Sequence, residues 1–424
     1  MDWRELSRVV VVGQGYVGLP LAMRAVDAGY DVVGYEVDEG RVKRLLAAET
    51  YVEDVPSAEL ARALATKRYR PTVDASACTD FDVAVVTVPT PLHEGAPDLS
   101  FIESAAVTLA RYLRPGATVI LESTTYPGTT EEMVAPLLEE GSGLVAGQDF
   151  FLGYSPERID PGNPDWNLAN TPKVVSGIDQ GSLAAVQGFY DKIVERTVAV
   201  SGCKEAELTK LLENTFRHVN IALVNELAMF AGDLGIDVWE AIDAASTKPF
   251  GFLRFTPGPG VGGHCLPIDP SYLSWRVRRI TGQPFRFVEL ANDVNDHMPD
   301  YVVRRLVVAL NRQRQAVNGS RILLLGLAYK RNTGDDRESP AVVVAERLLA
   351  LGAEVRVVDP HVTHDHIDGN VERVDLTAAE LAAADAVVLL TDHDAFDLAM
   401  VGEHAPYVLD TRRRLAPGAN VEFL

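Results

Sequence analysis

Short segments rich in Val, Ile and Leu alternate with helical stretches through the N-terminal half of this chain. Uninterrupted apolar runs of this kind are typical of strands that are buried on both faces of a parallel sheet. The pattern predicts five such strands, at residues 8–12, 31–35, 83–88, 117–122 and 150–154. Strands that alternate with helices in this way favour a doubly wound α/β domain.

The pattern changes to one long helix at residues 204–234, which contain no Pro and one late Gly. A loop dense in Gly and Pro follows at 256–270, and then a helical region to about residue 317. Strands are predicted again at 321–325, 354–359, 386–391 and 407–410. We therefore predict two Rossmann-like doubly wound α/β domains, 1–203 and 318–424, joined by a helical middle domain, 204–317, that begins with the long central helix.

Composition narrows the classes of partner. The chain has 424 residues and a formal net charge of −21, so its surface repels polyphosphate backbones and anionic lipids. We expect neither a nucleic-acid nor a membrane partner. No apolar run is long enough to cross a bilayer, and a glycine motif follows the first apolar run directly, which a signal peptide would not show. Because three cysteines form no disulfide framework, we expect a cytoplasmic protein.

A glycine-rich turn follows the first predicted strand and opens a helix. It reads GQGYVG, with Gly13, Gly15 and Gly18, and Glu36 lies at the end of the second strand. Glycines let the backbone approach a pyrophosphate at a helix N-terminus, and an acid after the second strand accepts hydrogen bonds from ribose hydroxyls. The pattern predicts a dinucleotide site that prefers NAD to NADP. Arg41 either flanks the adenine or is a solvated helix residue.

The segment GPGVGGHCLPIDP, residues 258–270, is the most informative part of the sequence about a possible reaction. Its four glycines between positions 258 and 263 allow backbone N–H groups to come close to a ligand. Cys265 and Asp269 follow, and a thiol near a carboxylate is a candidate nucleophile with a proton acceptor. An inert core cysteine is the alternative, but a core position does not need four neighbouring glycines. The adjacency of His264 does not by itself place it in the reaction.

Polar residues interrupt the predicted long helix. Lys210 and Asn214 are four apart and project from one face, where a cation and an amide can stabilise an oxyanion. A solvated Lys beside an Asn with a local hydrogen bond is the alternative. Asn220 and Asn225 lie in an apolar stretch and equally fit buried polar positions in a helix interface.

Three loops at predicted strand ends carry polar groups. Residues 123–128 read STTYPG and residues 155–158 read SPER; ligands of open α/β sheets bind at such strand ends, although helix caps are the alternative. The third loop contains Lys330, Arg331 and Arg337, which suit phosphates unless the loop is merely solvated. Histidines at 361, 364 and 366 have no matching second cluster, so we predict no metal site.

Seven motifs together resemble the UDP-glucose/GDP-mannose dehydrogenase family of nucleotide-sugar 6-dehydrogenases. They occur in the family's order across nearly the whole chain: GQGYVGLP, VPTP, ESTTYPGTTEE, SPERIDPGN, ENTFRHVNIALVNELA, GPGVGGHCLPIDP and GLAYKRNTGDDRESP. The resemblance implies a four-electron oxidation of carbon 6 of a nucleotide sugar to a carboxylate, with NAD used twice and no release of the aldehyde.

The resemblance also implies individual roles. Cys265 matches the nucleophile that forms a thiohemiacetal and then a thioester, and Asp269 matches a carboxylate that orders the hydrolytic water. The implied catalytic residues are Cys265, Lys210, Asn214, Asp269, Thr124 and Glu157. The implied NAD-binding residues are Gly13, Gly15, Tyr16, Val17, Gly18, Glu36, Arg41, Thr90, Thr124 and Arg337. The implied substrate-binding residues are Glu157, Arg158, Lys210, Asn214, Arg254, Gly258, Gly260, Gly262, Lys330 and Arg331.

One departure from the family concerns the sugar. The UDP-glucose enzymes carry a second Glu four residues after the SPE glutamate, whereas this chain has Pro161 there and Asp160 before it. The SPERIDPGN, PKVVSGI and KPFGF segments are more similar to enzymes for UDP-N-acetylhexosamines, especially UDP-N-acetylglucosamine. UDP-glucose and a sugar on another nucleotide, such as dTDP-glucose, remain alternatives.

Two other classes of function stay open at this point. A two-electron β-hydroxyacid dehydrogenase would share the dinucleotide domain and a helical domain, but would need neither Cys265 nor a second α/β domain. A non-catalytic NAD-binding protein would keep the fold alone. The length of the central helix predicts a homodimer formed through it.

Overall fold

The computed structural model describes residues 8–52, 54–93, 95–159, 163, 165–263, 266–363, 367 and 371–424. Backbone contacts divide the chain into two compact units. The first contains Met1–Glu213 and Ser271–Gln283, and the second contains Asn214–Pro270 and Pro284–Leu424.

The first unit is built on a parallel sheet of six strands. Its strands, with two short pairs beside the sheet, are β1 (Arg8–Val12), β2 (Asp31–Tyr35), β3 (Tyr69–Thr72), β4 (Val83–Val86), β5 (Leu92–His93), β6 (Ala96–Pro97), β7 (Thr118–Leu121), β8 (Phe151–Tyr154), β9 (Lys173–Val175) and β10 (Thr197–Ala199). The sheet order is β3-β2-β1-β4-β7-β8, which is the doubly wound order of dinucleotide-binding folds. The strands β5 and β6 form an antiparallel ribbon, and β9 pairs in parallel with β10.

Helices cover both faces of this sheet. They are α1 (Gly18–Asp27), α2 (Glu39–Leu46), α3 (Ser57–Ala65), α4 (Ser100–Ala110), α5 (Ala135–Ser142) and α6 (Gln180–Tyr190). Successive side chains of a strand point to opposite faces. In β1, Val9 and Val11 accordingly join one buried cluster, while Val10 and Val12 join the other. The apolar run of β1 is thus explained by burial on both faces.

The second unit repeats this topology. Its strands are β11 (Arg321–Leu325), β12 (Glu354–Val358), β13 (Glu372–Arg373), β14 (Ala386–Leu389), β15 (Val408–Asp410) and β16 (Val421–Phe423). All pair in parallel in the order β13-β12-β11-β14-β15-β16. Alternate residues of β11 again divide between two clusters, Ile322 and Leu324 on one face and Leu323 and Leu325 on the other.

A long helix and several shorter ones complete the chain. They are α7 (Cys203–Leu234), α8 (Val238–Ser246), α9 (Asp269–Thr281), α10 (Arg286–Arg312), α11 (Pro340–Ala350), α12 (Ala378–Ala383) and α13 (Leu398–His404). The helix α7 has 32 residues and α10 has 27. Among the described residues, no helix combines the length and the apolar character required to span a membrane.

The predicted fold class is confirmed, and most predicted strands are confirmed to within one or two residues. The strand predicted at 83–88 ends two residues early, at Val86, because beyond it the chain bonds to the neighbouring loop instead of continuing the ladder. Ser123 donates from its Oγ to the Val88 carbonyl at 2.8 Å, and its N–H bonds the Val86 carbonyl at 3.1 Å. The long helix begins one residue before its predicted start and ends where predicted.

Candidate active site

The glycine turn after β1 has the geometry of a dinucleotide site. A Cβ at Gly18 would lie 1.9 Å from the Gly13 carbonyl oxygen, so only glycine permits this close packing of turn against helix. A Cβ at Gly15 would have no heavy atom within 4 Å, which leaves room for a ligand against the backbone there. The first turn of α1 carries no acidic side chain, so its N-terminus favours an anion. These features fit a pyrophosphate.

Glu36 is fixed beside this turn. It is 5% exposed, and its two oxygens accept hydrogen bonds from the Gln14 N–H at 3.0 Å and the Asp38 N–H at 3.1 Å. A carboxylate has about four acceptor positions, so bonds from ribose hydroxyls can be added. Arg41 lies 3.5 Å from Glu36 and 5.6 Å from the centre of the Tyr51 ring. Glu36 and Arg41 therefore lie together beside the glycine turn.

The other predicted NAD-side residues of this unit lie at the same edge of the sheet. Tyr16 is 41% exposed and Val17 caps the start of α1. The Thr90 carbonyl follows β4 and accepts a hydrogen bond from the Tyr272 hydroxyl. Because the carboxyl ends of parallel strands form one edge, Thr90 and Thr124 share that edge with the glycine turn.

Lys210 and Thr124 form a direct pair within the first unit. The Lys210 ammonium donates a 2.5 Å hydrogen bond to Thr124 Oγ1, although the two residues are 86 positions apart. Lys210 is only 8% exposed. The interpretation of Lys210 as a solvated helix residue is therefore wrong. A buried cation beside a hydroxyl at the carboxyl edge of the sheet is suited to stabilise negative charge on a bound oxygen.

Glu157 follows β8 and is 8% exposed. Its Oε1 accepts a 2.5 Å hydrogen bond from the Ile159 N–H. Burial is the largest effect and opposes ionisation of this carboxyl, but Lys173 and Lys210, together with the hydrogen bonds that the carboxylate accepts, lower its pKa. Glu157 is thus a buried anion beside the Lys210 cation.

The neighbouring predicted substrate residue, Arg158, is held by protein groups. Its guanidinium makes two hydrogen bonds to the Glu213 carboxylate, at 3.1 and 2.6 Å, and a third to the Pro172 carbonyl at 2.7 Å. This bidentate geometry is the strongest arrangement of an arginine with a carboxylate. In this structure, Arg158 fixes the loop after β8 to the helix α7.

Asn214 and Asp269 form a second pair, within the second unit. Asn214 Nδ2 donates a 2.6 Å hydrogen bond to Asp269 Oδ2, and Asp269 is 2% exposed. Asp269 is the first residue of α9, where the helix dipole stabilises a carboxylate. The structure therefore brings these two predicted residues together.

The glycine loop is held by a buried asparagine. The Gly258 N–H donates to Asn225 Oδ1 at 3.0 Å, and Asn225 Nδ2 donates to Asn295 Oδ1 at 2.9 Å. A Cβ at Gly262 would lie 2.6 Å from the Glu338 carbonyl oxygen, so the loop packs against that segment through glycine. Asn225 is thus a buried polar residue with a structural role. His264 and Cys265 lie outside the described residues.

Three of the predicted cations of the second unit, Arg254, Arg331 and Arg337, each contact an acid. Arg254 bonds Asp243 at 2.7 Å and is half exposed, and Arg337 makes a bidentate bond with Asp335 at 2.8 and 2.7 Å. Arg331 pairs with Asp394. Lys330 follows β11 and is partly buried. These partners hold the side chains in the loops where the sequence predicts phosphate binding.

Sequence reasoning missed several buried charged residues. Glu207 on α7 is fully buried and accepts hydrogen bonds from the Gly128 and Thr130 N–H groups at 2.6 and 2.9 Å. Burial raises its pKa to about 7. Arg412, which is only partly buried, donates from Nε to the Leu390 carbonyl at 2.7 Å, and desolvation lowers its pKa. A Cβ at Gly258 would lie 2.8 Å from Arg412 Nη1, so the guanidinium lies against the glycine loop.

A third missed group surrounds Glu157 and consists of Glu122, Lys173 and Tyr190, none more than 3% exposed. Lys173 begins the buried strand β9. A charged residue at such a position is the one sequence signal that could have revealed this group, because a buried charge needs a partner.

Among the described residues, no group of three or more His, Cys, Asp and Glu side chains is arranged to hold a metal ion. His361 is described, and its ring lies 4.8 Å from that of His393. His364 and His366 lie outside the described residues.

Family models match three stretches of the chain. They are described as the NAD binding domain, the central domain and the UDP binding domain of the UDP-glucose/GDP-mannose dehydrogenase family, at residues 7–194, 204–297 and 323–417.

Curated relatives and solved structures match over nearly the whole length. UDP-N-acetyl-D-glucosamine 6-dehydrogenase of Pseudomonas aeruginosa is 38% identical over 391 residues, 92% of this chain and 91% of the relative. UDP-N-acetyl-D-mannosamine dehydrogenase of Pyrococcus horikoshii is 37% identical over 392 residues, 92% of this chain and 90% of the relative. A solved structure of the UDP-D-ManNAc dehydrogenase from Pyrococcus horikoshii matches with a TM-score of 0.89 at 34% identity, over 98% of each chain.

Proposed function

This chain belongs to the UDP-glucose/GDP-mannose dehydrogenase family, and on that basis we propose that it oxidises carbon 6 of a UDP-N-acetylhexosamine, preferentially UDP-N-acetylglucosamine, to the carboxylate. As a member of this family it is an NAD-dependent oxidoreductase that acts on nucleotide sugars. The substrate, the four-electron course and the residue roles below are parts of the proposal.

The observation that carries the proposal is the buried pair of Lys210 with Thr124. Oxidation of an alcohol passes through an oxygen that bears negative charge, and a cation in a water-poor site stabilises that charge strongly. Lys210 supplies such a cation. Asn214 lies one helical turn further along α7 and supplies an amide donor, as the same chemistry requires.

The remaining catalytic roles are assigned from the chemical group, the charge and the hydrogen bonds of each residue. Asp269, bonded to Asn214, orients the amide and accepts a proton from the hydrolytic water. Glu157, kept anionic by neighbouring lysines, binds hydroxyl groups of the sugar or the water. Cys265, which lies outside the described residues, is assigned as the nucleophile because it alone provides a thiol in the family's catalytic loop.

The proposed course conserves atoms and electrons. Two NAD molecules, bound one after the other at the glycine turn after β1, would each supply the hydride acceptor for one of the two oxidations. The Cys265 thiolate adds to the aldehyde carbon, and Lys210 and Asn214 stabilise the resulting oxyanion. Oxidation of this thiohemiacetal leaves a thioester, and water then attacks the thioester carbon. The C–S bond breaks, the thiolate returns, and the water oxygen remains in the carboxylate.

An N-acetylhexosamine is favoured by two observations. The relatives named above act on UDP-N-acetylglucosamine and UDP-N-acetylmannosamine. The sequence also has Pro161 where UDP-glucose enzymes carry a second glutamate. UDP-N-acetylmannosamine is the second candidate, because the relative from Pyrococcus horikoshii is named as a dehydrogenase of that sugar nucleotide.

The sugar nucleotide is proposed to bind through amides and cations of the second unit. Gly260 and Gly262 are proposed to present backbone N–H groups, and Gly258, whose own N–H is bonded to Asn225, is proposed to bind through its close backbone approach. Arg412 lies against this loop. Lys330 and Arg331 follow β11 in the region matched by the UDP binding domain. Arg254 and Arg337 are assigned from the sequence, the first to the substrate and the second to NAD.

A homodimer through α7 is the proposed assembly. Seven exposed apolar side chains fall within an arc of about 100° on this helix, which is the width of a buried stripe. They are Leu208, Leu212, Phe216, Leu223, Leu227, Phe230 and Leu234, with exposures of 41 to 70%. Lys210 and Asn214 project from a different side of the helix. A second copy of the same helix would cover this stripe.

A substrate panel tests the proposal. Purified protein with NAD is offered UDP-N-acetylglucosamine, UDP-N-acetylmannosamine, UDP-glucose and dTDP-glucose, and NADH is followed by absorbance. The proposal expects the highest kcat/KM for UDP-N-acetylglucosamine. Preference for a hexose without the acetamido group would contradict it. The domain boundaries 1–203, 204–317 and 318–424 and a cytoplasmic location stay predictions.

A further inference from the structure

A cluster of buried ionisable groups lies behind Glu157 and has no role in the proposed reaction. Glu122 follows β7, Lys173 begins β9, and Tyr190 ends α6. Their exposures are 1, 3 and 0%. Burial of a charge is costly unless the charge is paired, so each of these groups requires a partner in the interior.

Lys173 is the centre of this cluster. Its ammonium donates to Glu122 Oε1 and, at 3.1 Å, to the Pro156 carbonyl, and it lies 3.7 Å from Glu157 Oε2. The first two contacts are hydrogen bonds, and the third is an ion pair. Two of the three belong to the loop after β8, in consecutive residues. Lys173 therefore contacts both the backbone that precedes Glu157 and the Glu157 carboxylate itself.

Glu122 and Tyr190 fix Lys173 from the other side. Tyr190 donates a 2.5 Å hydrogen bond to Glu122 Oε2, while Glu122 Oε1 accepts from Lys173. Both oxygens of Glu122 are thus engaged. The chain of contacts runs from Tyr190 through Glu122 and Lys173 to Glu157, entirely among buried side chains of the first unit.

We propose that Lys173 is a positioning residue that holds the Glu157 carboxylate in place as an anion, and that Glu122 and Tyr190 fix Lys173 for this purpose. The proposal rests on the role of Glu157 in the proposed function. Lys173 itself is not assigned a contact with substrate. Arg158, the nearest cation in sequence, is already bonded to Glu213 and does not replace it.

The electrostatics of the cluster agree with the geometry. The charged groups that act on Glu157 are Lys173, Lys210 and Glu122. Burial opposes ionisation of Glu157, and the two lysines, together with the hydrogen bonds that the carboxylate accepts, lower its pKa despite this. For Glu122, burial is the largest effect and raises the pKa, although Lys173 opposes it. Glu157 is therefore the ionised member of the pair, and Glu122 is the one that more readily holds a proton.

The test compares pH profiles of kcat for wild type, Lys173→Met and Lys173→Arg. Removal of a cation about 4 Å away raises a carboxyl pKa by about one unit or more. The acid limb of Lys173→Met is therefore expected to move to higher pH by about one unit, and Lys173→Arg is expected to keep the wild-type limb because the charge remains. A purely structural lysine would change stability and leave the limb in place.

Two further variants test the direction in which the acid limb of the pH profile shifts. Glu122→Gln exchanges the carboxyl group for a neutral amide whose oxygen can still accept from Lys173. Lys173 therefore keeps its charge beside Glu157, and the limb is expected at or below its wild-type pH. Lys192→Met removes an exposed lysine of the same unit, which lies over the Tyr30 ring, and is expected to leave the limb unchanged. An upward shift for Glu122→Gln would overturn the proposal.

An infrared titration makes the test independent of turnover. The protonated-carboxyl band that is present in wild type and absent in Glu157→Gln reports the pKa of Glu157 without substrate. The proposal expects this pKa to rise in Lys173→Met, and an unchanged value in the folded variant would overturn it. Absence of NADH from wild type with every nucleotide sugar would instead contradict the proposed function alone.

Discussion

Asn214 and Asp269 are 55 residues apart in sequence, yet the Asn214 amide nitrogen lies 2.6 Å from an oxygen of the Asp269 carboxylate. The pair links the long helix α7 to the first residue of α9. Since Asp269 is buried and the bond fixes the orientation of the Asn214 amide, the two residues are expected to act as one unit.

Loss of either member of this pair should therefore cost similar activity. We expect Asp269→Asn and Asn214→Ala each to lower kcat about 100-fold, the size of effect typical of a proton-transfer group or an oxyanion donor. The double variant should be little worse than either single one, because both remove the same arrangement. The measurement is a double-mutant cycle on kcat. Fully additive losses would show that the residues act independently.

The Lys210–Thr124 bond leads to a graded prediction. Lys210→Met removes the buried cation and should lower kcat by about 100- to 1,000-fold. Thr124→Val keeps the shape of the side chain but removes the hydroxyl, so a smaller loss, about tenfold, is expected. Thr209→Val is the matched control, because the Thr209 hydroxyl bonds within the helix, to the Glu205 carbonyl at 2.8 Å. Steady-state kinetics at saturating NAD measure all three, and equal losses for Thr124→Val and Thr209→Val would contradict the assignment.

The fixed carboxylate of Glu36 predicts the choice of cofactor. Glu36→Ser should lower kcat/KM for NAD about tenfold or more, because ribose hydroxyls lose their acceptor, and should raise the relative use of NADP, because the repulsion of a 2′-phosphate is removed. Glu39→Gln, a 74% exposed neighbour on α2, is the control. Kinetics with both cofactors give the ratio. An unchanged NAD/NADP ratio in Glu36→Ser would remove Glu36 from the cofactor site.

The buried carboxyl of Glu207 predicts a pH dependence of stability. Its pKa in the folded state is raised from an ordinary 4.5 to about 7, because burial outweighs the hydrogen bonds that it accepts. The folded protein therefore keeps a proton that the unfolded chain releases, so this stabilisation is full below pH 4.5 and is lost as the pH rises through 7. The total change is about 3 kcal/mol.

Denaturant unfolding at several pH values measures this effect. The stability of wild type relative to Glu207→Gln should fall between pH 5 and 8, since glutamine does not titrate. Glu205→Gln, an exposed neighbour on α7, should show no such trend. A constant difference between wild type and Glu207→Gln over this range would contradict the raised pKa.

The sequence predicted the sheets well because buried parallel strands leave a direct signal. The strand β1 reads RVVVV and β11 reads RILLL, and burial on both faces requires such apolar runs. The glycine turn and Glu36 were predictable because their chemistry depends on residues close in sequence. The strand order depends on contacts between distant segments, and no order was predicted from the sequence.

The buried charges were not predictable in the same way. The sequence around Glu207 does not indicate that this helix position is buried. Glu207 is buried because the loop at Gly128 and Thr130 folds over it. The role of Lys173 depends on its contacts with Glu122 and Glu157, which are 51 and 16 residues away in sequence. Pairs of this kind appear only when the fold brings their members together. Asn225 remained ambiguous for the same reason until its bond to the Gly258 N–H was seen.

The central claim is that one enzyme carries the alcohol to the acid in two oxidations through a thioester on Cys265. Two quantities therefore have to be measured in the same reaction: NADH by absorbance, and the consumed sugar nucleotide and its product by chromatography, with substrate limiting and NAD in excess. Cys265→Ala is the control, and it should form little or no acid because no thioester can arise.

With UDP-N-acetylglucosamine as the limiting substrate, the account predicts two NADH and one uronic acid for each sugar nucleotide consumed. A ratio of one NADH per sugar nucleotide, with an aldehyde or ketone as the product, would contradict it.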